Sequence, residues 1–321
     1  MKDFTGKTAV ITGGGTGMGR ELARQLVAEG CNVAMCDVSA ENMAETKRLA
    51  GIGAPQGTRI TTHLADVSDE AQILRFRDSV RGEQDTDHIH LLFNNAGIGG
   101  GPSFLNSPRD EWEKTFNVCW YGVYYSTRAF MPMLLKAKEA HIVNTSSVNG
   151  FWASLGPNRS HTAYPAAKFA VKGFTEGLIN DLRLNAPHVK CSVVMPGHIG
   201  TSIFENSRKV LTGHGISEMT EKELADSRRS LKSIGLPTDS MTNEQIKQML
   251  TEMARQFETN APTTAAEAAT IILNGVREEK WRILIGKDAE TMDRLVREAP
   301  EEAYEQSFID RLRAQGHWRA F

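Results

Sequence analysis

The sequence predicts an α/β fold: a doubly wound parallel sheet, with a helical insertion before the last helix–strand unit. Three observations lead there. Short β-branched, apolar runs alternate with helical segments through the first two-thirds of the 321 residues. Runs such as Leu91-Leu92-Phe93 are apolar at every position, as in strands covered on both faces. A glycine cluster, Thr12-Gly13-Gly14-Gly15-Thr16-Gly17-Met18-Gly19, separates the first strand from the first helix.

In chain order, Lys7 to Thr12 reads as a strand, Gly19 to Gly30 as a helix, and Asn32 to Asp37 and Arg59 to Leu64 as strands. Ser68 to Arg81 reads as a helix and His90 to Asn94 as a strand. The segment from Pro108 to Lys138 holds one long helix or two in tandem. His141 to Ser146 is a strand, Pro165 to Leu184 a helix and Val189 to Met195 a strand. Right-handed crossovers would wind these units into one sheet. From Thr201 to Pro262 the alternation lapses into a polar stretch that is either a helical insertion (202–262) packed over the domain or a disordered loop. Helix starts favour the insertion, because Thr220-Glu221-Lys222-Glu223 and Thr242-Asn243-Glu244-Gln245 both fit a capping box. The second opens an amphipathic run carrying Ile246, Met249, Leu250, Met253 and Phe257. Thr264-Ala265-Ala266-Glu267 caps another helix, Trp281 to Ile285 is a last strand, and residues 288–321 form a charged, helical C-terminal extension.

A formal net charge of −2 and a pI of about 6.5 give no reason to expect nucleic acid or an anionic membrane as partner. No apolar run is long enough for a bilayer span, and the N-terminus lacks a signal-peptide pattern, so a cytoplasmic protein acting on a small molecule is expected. Cys31, Cys36, Cys119 and Cys191 lack ligand spacing and read as reduced structural thiols. The nine histidines form no HExxH motif, so no metal is expected.

The glycine spacing is TGxxxGxG, not GxGxxG. Glycines let backbone approach a pyrophosphate, and the helix that follows offers free N–H groups and a positive dipole end. Far downstream, Tyr164-Pro165-Ala166-Ala167-Lys168 places a lysine at i+4 from a tyrosine. The ammonium should favour the phenolate and bring a group that titrates near ~10 into the range useful for proton transfer. A nucleotide turn with a proton-transfer pair points to hydride chemistry.

These motifs, with Asp66-Val67, Asn94-Asn95-Ala96-Gly97, Asn117, Ser147 and Pro196-Gly197-His198-Ile199-Gly200-Thr201 in the expected order, resemble the short-chain dehydrogenase/reductase family. The resemblance covers about residues 5–201 and 263–286 and implies a Rossmann-type single domain, a nicotinamide cofactor and a homotetramer or homodimer. It implies a cofactor turn of Thr12, Gly13, Gly15, Thr16, Gly17, Met18 and Gly19. It further implies that Asp66 meets the adenine amino group with Val67 beside the ring, and that Asn94, Ala96 and Gly97 border the adenosine half. Asn94 reads equally as a strand-end hydrogen-bond bracket. Pro196, Gly197, Ile199 and Thr201 belong to the nicotinamide end, where Thr201 resembles the residue that binds the carboxamide. Asp37 closes the second strand twenty residues after Gly17, where a carboxylate can accept from ribose hydroxyls and repel a 2′-phosphate. With Thr16 and Val38 where NADP-dependent relatives often carry a base, NAD (NADH) is expected.

By the same resemblance Tyr164 is the general acid/base, while Lys168 tunes it and holds the nicotinamide ribose. Ser147, chosen over Ser146 by register, hydrogen-bonds the substrate oxygen, and Asn117 orders a water leading from Lys168 to solvent. Two departures stand out. Ser147 and Tyr164 are seventeen residues apart, longer than usual, so Leu155 to Thr162 must bulge. Arg159 and His161 in that bulge are either substrate-rim or solvated residues. Ala167 replaces a frequent serine.

Phe151, Trp152, Leu155, Met195, His198 and Phe204 adjoin these motifs and are candidates to line an apolar substrate pocket. Met249, Met253 and Phe257 either belong to a lid over it or pack one helix on another. The expected activity is NAD-dependent interconversion of a bulky, apolar secondary alcohol and its ketone. A 3-oxoacyl thioester reductase and a non-catalytic NAD-binding regulatory module are the alternatives.

Overall fold

The computed structural model describes residues 1–156, 159–233 and 235–316. Seven strands form one parallel sheet: β1 (Thr8–Thr12), β2 (Asn32–Asp37), β3 (Ile60–Leu64), β4 (Leu91–Asn94), β5 (Ala140–Thr145), β6 (Val189–Pro196) and, late in the chain, β9 (Arg282–Ile285). Their order is β3-β2-β1-β4-β5-β6-β9, so the winding reverses between β1 and β4. Ligands bind at such a switch point, beyond the carboxyl ends of the strands.

Side chains alternate across the sheet as strand geometry requires. Ala9, Ile11, Val33, Met35 and Phe93 face one layer, built from α1 (Gly17–Ala28) and α10 (Ala265–Arg277). Val10, Ala34, Leu92 and Ile142 face the other, built from α3 (Glu70–Glu83), α5 (Gly122–Lys136) and α6 (Ala163–Asn185). Both faces are therefore covered, which is why Leu91-Leu92-Phe93 is apolar throughout.

The segment after Pro108 is two helices in tandem, α4 (Arg109–Phe116) and α5, joined by one π-helical turn, Asn117–Tyr121. Helix α2 (Ala40–Gly51) was not expected from the pattern. Its buried face is only Met43, Thr46 and Ala50, too small and polar to make an apolar stripe, though Ser39 caps it through Asn42 N.

The stretch after Thr201 is helical: α7 (Ile203–Thr212), α8 (Glu221–Ser233) and α9 (Asn243–Thr259). Thr242 and Gln245 form the reciprocal cap at the start of α9, and Thr264 with Glu267 does the same for α10. Thr220 and Glu223 exchange the equivalent bonds before α8. Two short strands, β7 (Ile199–Gly200) and β8 (Thr263–Thr264), pair in parallel and pin the two ends of this excursion together. Met249 and Met253 pack on a small core of Met219, Leu224, Leu231 and Ile246, which is helix-on-helix packing.

The C-terminal segment adds α11 (Lys287–Glu298) and α12 (Gln306–Ala314). Their apolar faces close a separate cluster with Val148 and Trp152. Trp152, a pocket-lining candidate, is thus a core residue at 1% exposure, and Met195 is likewise sealed inside β6. All four cysteines are buried and unpaired, and burial pushes the Cys31 thiol up to about 12.

Candidate active site

The carboxyl ends of β1, β2 and β4 open into a cavity of about 340 Å³. Thr12 ends β1, and its hydroxyl accepts from Asn95 N at 3.1 Å and Ala96 N at 3.2 Å, tying the glycine turn to the end of β4. Gly13 sits at φ +68°, and a Cβ there would stand 2.8 Å from Ala96 Cα. Gly19 is tighter still, because a Cβ would lie 2.0 Å from Gly13 O. The turn is thus a backbone surface that only glycine permits.

Helix α1 opens onto this turn without a cap. Thr16 is its N-cap residue yet makes no capping bond; its hydroxyl accepts from Asn206 Nδ2 at 3.0 Å, and no acid lies in the first turn. Free N–H groups beside a glycine surface fit a pyrophosphate.

Asp37 lines the same cavity, with Gly15 N donating to Oδ2 at 2.9 Å and Ser39 N to Oδ1 at 3.1 Å. Burial raises its carboxyl above the ordinary range, and those amides oppose the rise. Val38, Asp66, Val67, Ala96, Gly97, Gly17, Met18 and Thr201 also line it. Burial pushes the Asp66 carboxyl up, but an ion pair with Lys114 and bonds from Ser68 outweigh it, so the carboxyl lies below its usual value. A Cβ on Gly17 would meet the Thr201 side chain at 3.0 Å, so Thr201 lines the cavity directly against the turn.

Asn94 stands elsewhere. It is 1% exposed, and its amide donates to Thr127 Oγ1 at 2.9 Å and Asn144 Oδ1 at 2.7 Å. It brackets β4 to its neighbours, and Asn95 borders the cavity in its place. Pro196 and Ile199 are buried supports, and a Cβ on Gly197 would collide with the Asp288 carboxylate.

The second half of the site gathers on α6 and β5. Lys168 is 2% exposed, donates to Thr145 O at 2.8 Å and has its ammonium 5.4 Å from the Tyr164 ring centre. Ser146 Oγ donates to Lys168 O at 2.7 Å, which commits that hydroxyl to structure. Ser147 is the serine whose hydroxyl stands near enough to Tyr164 to favour its phenolate. Gly97 joins the two halves: it lines the cavity, and a Cβ there would stand 3.4 Å from Lys168 Nζ. Asn117 opens the π-helical turn.

The sign of the tyrosine's acidity differs from the expectation. Burial pushes the Tyr164 phenol above its ordinary value; the Lys168 charge and the Ser147 hydroxyl pull it down without overcoming burial, and the Cys119 thiol adds to the rise. The lysine alone does not make a phenolate. Sequence spacing revealed the cation but not the depth of the hydroxyl.

The substrate candidates divide. Phe151 packs on the C-terminal cluster beside Trp152. His198 directs Nε2 to Phe257 O at 2.7 Å and lays its ring 4.2 Å from that of Phe257. Phe204 is 54% exposed, crosses Phe257 edge-on and borders a separate small cavity. None of these three lines the large cavity. In the bulge, Leu155 is exposed and Arg159 half-buried, whereas His161 stacks on the Tyr164 ring with centres 5.5 Å apart. Pro157 and Asn158 lie outside the described residues. Sequence reasoning missed Lys114 and Asn206, which act through contacts with distant segments that no local pattern encodes.

Among the described residues no three His, Cys, Asp or Glu groups gather as a metal site, and no helix is long and apolar enough to cross a membrane.

The sequence profile described as short chain dehydrogenase matches residues 7–212. SadH of Mycobacterium tuberculosis is 33% identical over 297 residues, 92% of each chain. Levodione reductase of Leifsonia aquatica is 32% identical over 209 residues, 65% of this chain and 75% of its own. A short chain dehydrogenase/reductase from Burkholderia phymatum, solved with NAD, superposes with TM-score 0.73 at 30% identity, covering 94% of this chain and 96% of that one. A metagenomic short-chain oxidoreductase solved with NADP gives TM-score 0.54 at 29% identity over 60% of this chain and 83% of its own. With its parallel seven-stranded sheet and glycine turn at the switch point, this chain belongs to the short-chain dehydrogenase/reductase family of oxidoreductases.

Proposed function

We propose that the protein is an NAD-dependent oxidoreductase that interconverts a secondary alcohol and its ketone, with Tyr164 as general acid/base. The observation that carries this reading is the meeting, at Gly97, of an anion-ready glycine turn with the Ser147, Tyr164 and Lys168 cluster. The bound dinucleotide supplies the carbon that accepts or gives hydride. In oxidation Tyr164 Oη takes the hydroxyl proton, and in reduction it returns one to the developing alkoxide. Ser147 donates to the same oxygen as charge grows on it, and Lys168 stabilises the phenolate that remains. Asn117, at the π-helical turn, is assigned the water that refills the proton. The substrate is a bulky, largely apolar alcohol. An intact set of proton-transfer residues disfavours a regulatory module, and the Asp37 carboxylate disfavours an NADPH-using thioester reductase.

NAD is favoured over NADP by charge. Asp37 would repel a 2′-phosphate, and the nearby Arg20 commits Nη2 to Gly15 O at 2.6 Å and Nε to Thr46 Oγ1 at 2.9 Å. Steady-state kinetics with purified protein on a panel of secondary alcohols, followed by NADH absorbance, tests both claims. NAD is expected to exceed NADP in kcat/KM by about 100-fold, with Asp37→Ala narrowing the gap. An NADPH preference, or turnover of small polyols alone, would refute the reading.

The protein is further assigned to the cytoplasm and to a homotetramer or homodimer. An aromatic ribbon on the π-helical turn, α5 and α6 supports self-association: Tyr121 stacks on Tyr125, Trp120 crosses Phe174, and Phe169 is 42% exposed. A monomeric mass in light scattering would remove that assignment.

A further inference from the structure

The seventeen-residue separation of Ser147 and Tyr164 leaves the segment after the serine in need of an anchor. One 3-10 turn, Val148–Gly150, follows Ser147, and Asn149 N donates to Ser147 Oγ at 3.1 Å. The buried Asn149 amide then donates to Trp152 O at 2.9 Å and Ser154 O at 2.8 Å, gathering the segment into a closed knot. The knot is held from the far end of the chain. Trp152 Nε1 donates to Ala303 O at 2.7 Å, and Ala153 N donates to the Tyr304 hydroxyl at 3.1 Å. The Trp152 ring lies 5.4 Å from that of Phe308, and both side chains are buried.

We propose that Ala303 to Phe308, between and within the two C-terminal helices, is a positioning element of the active site: it clamps the Phe151–Ser154 turn and, through Asn149, sets the direction of the Ser147 hydroxyl. The inference rests on the catalytic reading of Ser147 and Tyr164 given above. Physically, a hydroxyl that must meet a developing alkoxide is useful only in one direction, and errors near 1 Å cost up to about 100-fold in rate. Ser147 Oγ accepts from the backbone of the knot itself, so any swing of the knot swings its hydrogen-bond geometry. The residues between Ser147 and Ser154 close the knot on itself; its start packs on α6, where a Cβ on Gly150 would meet Lys168 O at 2.9 Å, and its tie to the C-terminal segment is the Trp152–Ala303 bond, the Ala153–Tyr304 bond and the Trp152–Phe308 contact. These contacts join segments 151 positions apart, so the extension is wired to the serine and not merely draped over the domain.

Tyr304 offers a mild test because its ring is 61% exposed, so Tyr304→Phe removes a hydroxyl without opening the core. The full-length chain is compared with Tyr304→Phe, with Tyr304→Phe/Trp152→Phe, and with the same pair in a Ser147→Ala background. Two readouts are taken: amide hydrogen exchange across residues 148–154, and kcat for 1-phenylethanol with NAD alongside the Kd for NADH. Exchange at the Ala153 amide is expected to quicken about ten-fold in Tyr304→Phe, once its acceptor is gone. The double variant is expected to lose about ten-fold in kcat with the NADH Kd unchanged. In the Ser147→Ala background the same pair should cost under about two-fold, because no hydroxyl remains to be aimed. An equal loss in both backgrounds, or unchanged exchange at 148–154, overturns the proposal. Wild-type kcat in Ser147→Ala removes the serine's role and the inference with it. Absence of turnover by the wild type counts against the proposed function, and the exchange measurement still decides the clamp.

Discussion

Tyr164→Phe is expected to lower kcat about 1,000-fold or more while leaving the NADH Kd within about two-fold of wild type. The substitution removes one oxygen and keeps the ring, so the stacking on His161 and the contact with the Lys168 ammonium survive. What disappears is the atom to which the proposed mechanism assigns the proton. Serine 147 cannot take over: it accepts from Asn149 N at 3.1 Å, and a serine hydroxyl is a far weaker acid than a phenol. The hydroxyl of the neighbouring Ser146 is committed to Lys168 O. Stopped-flow measurement of hydride transfer together with NADH titration separates loss of chemistry from loss of binding. A Tyr164→Phe enzyme with near-normal turnover would remove the tyrosine from the mechanism.

Gly19→Ala should abolish useful cofactor binding, raising the NADH Kd by about 100-fold. The reason is steric and local. The added methyl would sit 2.0 Å from Gly13 O and 2.7 Å from Asn95 Nδ2, the amide that itself donates to Thr12 O and Gly13 O. Gly13 O is backbone, and the Asn95 amide is held by its two hydrogen bonds. The start of α1 must back away from the turn, which moves the uncapped N–H groups from the surface they serve. Overpacking of this kind costs about 1–3 kcal/mol of stability as well, so a modest fall in Tm accompanies the lost affinity. By contrast Gly51→Ala, at the end of α2 with open space around it, should bind NADH as wild type does. Isothermal titration on the two variants gives the comparison, and equal affinities would deny the glycine turn its role.

Much of this architecture was legible from the chain itself because its signals are local. Alternating apolar strands and helices fixed the layers, and the capping pairs at Thr242/Gln245 and Thr264/Glu267 marked helix starts inside an otherwise polar stretch. The glycine turn and the i,i+4 spacing of Tyr164 and Lys168 are local as well. What the sequence hid depends on distance. Helix α2 escaped because its buried face carries Thr46 and Ala50 in place of large apolar residues. Trp152 looked like a pocket wall because it follows Ser147, yet its partners Ala303 and Phe308 lie half the chain away. His198 was drawn off by Phe257 in the insertion, whereas Asn94 takes the strand-end bracket that the sequence also offered, bonded to Asn144 on the next strand. The acidity of Tyr164 was misjudged for a related reason: a charged neighbour can be read from spacing, but desolvation is a property of the assembled fold.

That last point sets the decisive measurement, the pH dependence of alcohol oxidation at saturating NAD in wild type and Lys168→Met. Burial holds the phenol up and the ammonium pulls it down, so removing the cation should move the rising limb of log kcat/KM to higher pH. A limb that stays in place when the lysine is gone would contradict the assignment of Tyr164, tuned by Lys168, as the group that carries the proton.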